Sequence, residues 1–223
     1  AYNLPAVSDC LARRFSSELA GVVESLSRDS DAETRWNLAG GLHWTLPILI
    51  SKSTADNLSK AFVALLRDES PLIRVNVLQH FGEIVAEPLI GGELPSPAKF
   101  GSLFRNLRIL SEGNWRTQEL LAKQLEGAAH MIPYESLKCH VIPLLFQMAE
   151  ESTAHVRKAL MTAIVKCVRQ IPEMEERHHL VENFRVEWAQ GGVYWMRIAF
   201  LEGVLAAYRV YSRDLFRETF MSQ

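Results

Sequence analysis

The chain has 223 residues, 48% of them apolar and 22% charged, with 24 Lys plus Arg against 26 Asp plus Glu. That composition excludes a disordered chain, and a net charge of −2 lacks the basic excess that polyanion binding needs, so no nucleic acid is expected. No apolar run approaches the roughly 20 residues of a membrane span, so no membrane is expected and the chain reads as soluble.

Apolar residues recur at steps of three and four, as in Leu103, Leu107, Leu110 and Val156, Leu160, Ile164, Val168. Alternating strand patterns are absent, so every element is predicted helical. The helices group into units of about 40 residues, marked by Arg35, Arg74, Gln118, Arg157 and Arg197 at spacings of 39, 44, 39 and 40. Each unit reads as a helix, a short turn and a second helix that starts just before its marker.

The first unit, about 6–47, ends its first helix just past Leu26, places Asp29 and Asp31 in the turn, and buries Leu38 and Leu42 from its second helix before Pro47 stops it. The second, about 54–88, repeats this with Leu65, Asp68, Ser70-Pro71, Val77 and Phe81, closing at Pro88. Ala86–Ala98, with two glycines and three prolines, reads as an irregular inter-repeat loop. The third unit, about 96–133, carries Ile109, Glu112, Leu121 and Leu125. The fourth, about 134–172, carries Met148, Glu151, Leu160 and Ile164. The fifth, about 173–211, carries Trp188, Gly191, Phe200 and Val204, and residues 212–223 open a sixth. One helix pair cannot bury both its faces, so the units are expected to stack as an all-α superhelical solenoid. The marker arginines are expected to reach the acidic turn residue of their own or the next unit, as exposed pairs worth about 0–1 kcal/mol each that fix register.

Three cysteines, Cys10, Cys139 and Cys167, form no C-x-x-C. Cys139 and Cys167 read as reduced core thiols, which implies a reducing, cytoplasmic setting. Ala1–Cys10 lacks the pattern of a signal peptide, and the missing initiator Met and polar end caps point to a piece of a longer array. The seven histidines include His178-His179 beside Glu175-Glu176, but helix neighbours do not share a face and no H-E-x-x-H exists, so no metal site is expected. No phosphate-binding glycine loop or G-x-S-x-G elbow is present, so no enzyme, cofactor or small-molecule substrate is expected. Of the tryptophans, Trp188 falls in a core column, Trp36 is expected half-exposed, and Trp195 with Tyr194 on the last turn suits an interface. Arg105, Arg108, Arg116 and Lys123 read as a solvated helix face.

Units of this length with proline-punctuated helix pairs and an Asp…Val-Arg core resemble HEAT repeats. Asp68 to Val77 (DESPLIRVNV), Leu110 to Arg116 (LSEGNWR) and Ala154 to Leu160 (AHVRKAL) are similar to consecutive repeats of the scaffold (A) subunit of protein phosphatase 2A, and the scaffold-like regulatory subunits of protein phosphatase 4 share this style. The resemblance spans roughly residues 20–172. It implies a noncatalytic scaffold whose intra-repeat turns (27–31, 68–72, 111–116, 150–155 and 190–195) form a ridge holding a serine/threonine phosphatase catalytic subunit and a regulatory subunit. In that family a Trp-Arg pair at the start of one second helix touches the catalytic subunit, and Trp115 and Arg116 match it. The expected partner-binding set is therefore Asp68, Glu112, Asn114, Trp115, Arg116, Ala154, His155, Tyr194 and Trp195. The sequence departs from the family where Thr117 and Gln118 follow the pair and where Ala154 replaces an aromatic residue. Two other readings use the same fold: a transport or cytoskeletal adaptor, disfavoured by acidic turns, and a HEAT-like DNA glycosylase, disfavoured by the near-neutral charge.

Overall fold

The computed structural model describes residues 1–51, 53–86, 114–191 and 193–221. All regular structure among them is helical, and no described helix is long and apolar enough to cross a membrane. The chain divides into two compact units, Ala1–Leu110 and Ser111–Gln223. Pro88, Ile109, Glu112, Arg105, Arg108 and nearly all of the loop expected at Ala86–Ala98 lie outside the described residues.

The first unit contains α1 (Leu4–Leu26), α2 (Ala32–Leu49), α3 (Ala55–Leu66), α4 (Pro71–Leu78) and α5 (Phe81–Ala86). Helix α1 packs on α2 and α3 on α4, while α1 also lies along α3 and α2 along α4. This places first helices on first helices and second helices on second, the arrangement of a stacked repeat. The apolar columns meet in the interior: Leu38, Leu42, Leu65, Val77 and Phe81 are all buried, each worth about 1.5–3 kcal/mol when fully covered. Leu26 is half-buried.

Two local expectations are corrected. Pro47 does not end α2, which runs on to Leu49 and closes with the Ile50 N–H donating to the Leu46 carbonyl at 2.8 Å. A proline so near the end forfeits one ladder bond, and the buried Leu46 and Leu49 hold the last turn in place. The second helix of the next repeat is also not continuous, since α4 stops at Leu78 and α5 begins at Phe81. Gln79 and His80 form the corner between them, and the His80 ring lies flat against His43 of α2, 3.6 Å away.

The second unit contains α6 (Trp115–Ala128), α7 (Tyr134–Ser136), α8 (Ile142–Glu151), α9 (Ala154–Arg169), α10 (Met174–Phe184), α11 (Tyr194–Val210) and α12 (Arg213–Phe220). Helix α9 packs between α6 and α11, with α8 beside it, and α12 packs on α10. Leu121, Leu125, Met148, Leu160, Ile164 and Trp188 are buried, whereas Phe200 and Val204 of α11 are only half-covered.

Between α7 and α8 the chain widens into a π-helical turn, Leu137–Val141, closed by the Ile142 N–H reaching back to the Leu137 carbonyl. Pro143 stands in the first turn of α8. It lacks the N–H that would bond to the carbonyl four residues back, and its ring would strike that carbonyl, so the wider turn relieves both problems. This turn also corrects Cys139, which is exposed rather than in the core, because only Leu137 and Val141 of its turn face inward. Cys167 is a buried free thiol, and burial pushes its pKa up to about 12. A second π turn, Arg185–Ala189, follows α10.

Candidate functional site

The turns between paired helices are built by their own side chains. Asp31 caps α2, its carboxylate accepting from the Glu33 and Thr34 N–H groups at 3.3 and 3.0 Å, while Asp29 accepts from the Asp31 N–H at 2.9 Å. Asn114 does the same for α6, its side-chain oxygen accepting from the Arg116 and Thr117 N–H groups at 3.1 and 3.3 Å. Asn114 is thus the residue that fixes how Trp115 and Arg116 leave the turn.

Three arginines of the marker column clasp their own turns from beneath. Arg35 Nη1 donates to the Asp29 carbonyl at 2.7 Å, and Arg74 Nη1 to the Asp68 carbonyl at 2.7 Å. Arg157 donates through Nε to the Ala149 carbonyl at 2.9 Å and through Nη2 to that of Ser152 at 2.5 Å. Arg35, Gln118 and Arg157 of the column also link consecutive repeats, with chemistry that changes along the chain. Arg35 makes a two-point contact with Asp68, Nε to Oδ2 at 2.6 Å and Nη2 to Oδ1 at 3.2 Å. Gln118 accepts a hydrogen bond from the Ser152 hydroxyl at 3.0 Å. Arg157 lies over the Trp195 ring at 4.2 Å.

The expectation of weak exposed pairs is corrected at Arg35 and Asp68, which are 7% and 8% exposed. Burial pushes the Asp68 carboxyl up, but the Arg35 guanidinium and the Ser70 N–H outweigh it and hold the pKa below the ordinary 3.8. This carboxylate is occupied inside the protein.

Among the remaining expected partner-binding residues, the structure gathers three. Trp115, 41% exposed, carries the Arg116 guanidinium over its ring at 4.3 Å and meets the His155 ring edge-on at 6.2 Å. His155 Nε2 stands 3.4 Å from Glu119, which also pairs with Lys123 at 2.6 Å. The hydrogen bond from Lys123, with a smaller contribution from His155, holds the Glu119 carboxyl below its usual range. The exposed Ala154 opens α9 beside His155 and adds no bulk to the patch. At the next turn, Trp195 is half-buried between the Arg157 guanidinium and the edge of Trp188, 5.7 Å away, while Tyr194 is 69% exposed. Glu112 lies outside the described residues.

Sequence reasoning missed a cluster in the first unit. His43, buried in α2, stacks on His80 at an interplanar angle of 4°, and Glu83 of α5 faces both rings. One possible ligand atom from each of the three lies within 4.8 Å of the others, but the parallel stacking of the two rings keeps their in-plane lone pairs from meeting at one point. His43 and His80 fall eight and six residues past successive markers, so aligning the repeats would have placed them near one another.

The chain is 24% identical over 231 residues to serine/threonine-protein phosphatase 4 regulatory subunit 4 of Homo sapiens, and equally to that of Mus musculus. The similarity takes in 99% of this chain but 26% of each relative, so the chain spans about a quarter of the length of the curated proteins it matches. No family model matches it.

Proposed function

We propose that this chain is part of a noncatalytic regulatory or scaffold protein that holds a serine/threonine phosphatase catalytic subunit on its intra-repeat turns. The observation that carries this reading is the exposed Trp115–Arg116–His155 patch at the α6 and α9 turns. An aromatic ring with a guanidinium lying on it offers a large rigid apolar face and five directed N–H donors in one place. Such residues dominate binding energy at protein interfaces. Similarity along nearly the whole chain to proteins named as regulatory subunits of a phosphatase supports the choice of partner.

The mechanism is positional. Asn114 caps the α6 turn, Arg157 holds the α9 turn, and the Ser152–Gln118 hydrogen bond ties the two together, so the partner meets a preformed edge and little ordering is lost on binding. Asp68 serves by shaping its turn through Arg35 and Ser70, not by touching the partner. Tyr194 and Trp195 extend the edge, with Arg157 supporting Trp195 from behind. The direct test is binding of purified phosphatase 4 and 2A catalytic subunits to the 223-residue chain, compared with Trp115→Ala, Arg116→Ala and the double variant. Binding lost in the double variant with helical content unchanged supports the reading; equal binding by all four chains removes the patch, and no binding removes the partner.

A further inference from the structure

Trp36 and Trp44 follow the marker Arg35 by one and nine residues, with Gly40 halfway between them on α2. On two later second helices the same three positions lie at the surface and are hydrophilic or small: Glu119, Lys123 and Gly127 on α6, and Lys158, Thr162 and Lys166 on α9. In α2 two indoles take the outer places, and both stay uncovered, 48% and 65% exposed. Eight residues of helix set them about 12 Å apart along its axis. Core packing does not explain them, because this column faces away from the core in the repeats that follow.

The two indoles border an open groove of about 400 Å³, joined by Tyr2, which precedes α1 and is 81% exposed. Asn76 of α4 lies across Gly40, where a Cβ would come within 3.1 Å of its Nδ2, and that amide donates to the Trp36 carbonyl at 2.8 Å. The groove is therefore lowest between the aromatic rings, with a fixed amide beside the bare glycine. Asn37 lines it as well, half-buried. No Asp, Glu, Lys or Arg does, and its titratable members are Tyr2 and His80.

This chemistry selects its occupant. An uncharged lining offers nothing to the phosphates of a nucleic acid. A sugar chain carries a hydroxyl on nearly every carbon and needs more polar partners than two asparagines and a histidine. A helix has already used its own backbone carbonyls. A polyproline II segment presents pyrrolidine rings that lie flat on indoles, and carbonyls with no partner in their own chain, which the indole N–H groups and the Asn37 amide are able to meet. It rises about 3.1 Å per residue, so four residues reach from one indole to the other. We propose that this groove binds a proline-rich, uncharged segment of a partner protein in the polyproline II conformation. The groove belongs to the first unit and the turn patch to the second, so the two readings stand or fall separately.

The test titrates the 223-residue chain into a fluorescently labelled decaproline peptide and follows anisotropy, with a glycine–serine peptide of equal length as control. Decaproline is expected to bind saturably and the control not to bind. Trp36→Ala and Trp44→Ala should each weaken decaproline binding about tenfold or more, the loss typical of an aromatic anchor, with helical content unchanged. Trp115→Ala, which removes an exposed indole from the other unit, should leave it unaltered. Should Trp36→Ala fail to fold, the more exposed Trp44→Ala decides the matter alone. No binding of decaproline, binding undiminished in either folded groove variant, an equal loss in Trp115→Ala, or tighter binding of a labelled cello-oligosaccharide or single-stranded oligonucleotide overturns the assignment.

Discussion

Arg35 shows most plainly what a single side chain does in this fold. Its guanidinium satisfies the carbonyl of Asp29 in its own turn and the carboxylate of Asp68 in the next. Removing it leaves Asp68 buried and unpaired, so Arg35→Ala is expected to cost about 3 kcal/mol, the lower end for a buried pair because the turn is near the surface. The double variant Arg35→Met with Asp68→Leu should recover most of that loss, which denaturant midpoints will measure. The pair also sets an acid limit. Asp68 binds its proton less readily folded than unfolded, so its contribution is complete above about pH 4 and disappears as pH falls through the lowered native value. Part of this was legible in the sequence, because the marker column and acidic turn residues share one period. Burial of the pair was not, since it depends on how deeply the turn folds over the guanidinium.

Helix pairs and turns were legible for the same reason: apolar residues repeat with the helical period, and burial follows that period at Leu38, Val77, Leu121 and Leu160. What escaped were departures within a helix. Pro47 is tolerated in a last turn, Pro143 is absorbed by a π turn, and the second helix of the second repeat breaks at Gln79–His80. Each depends on contacts between elements that periodicity does not encode. Gly191 illustrates the consequence at the end of the second π turn, where a Cβ would lie 2.3 Å from the Glu187 carbonyl oxygen. Because that obstacle is backbone, it cannot swing aside. Gly191→Ala is therefore expected to destabilise the second unit by about 1–3 kcal/mol and to move Trp195, which a shift in tryptophan fluorescence will report.

For the molecule as a whole, the candidate patch was partly legible: Trp115, Arg116 and His155 stood out as turn residues, and they converge because their helices stack with their starting turns at the same end. The burial of Asp68 was not legible because an acidic turn residue looks the same in sequence whether it faces solvent or a buried arginine. On the proposed function, the turn edge of the second unit receives a phosphatase catalytic subunit. Hydrogen-exchange mass spectrometry of the chain with and without a phosphatase 4 catalytic subunit tests it most directly. Slowed exchange at residues 114–117 and 153–156, with α1 unchanged, is the result predicted; protection confined to other surfaces, or none in a complex shown to form, would contradict it.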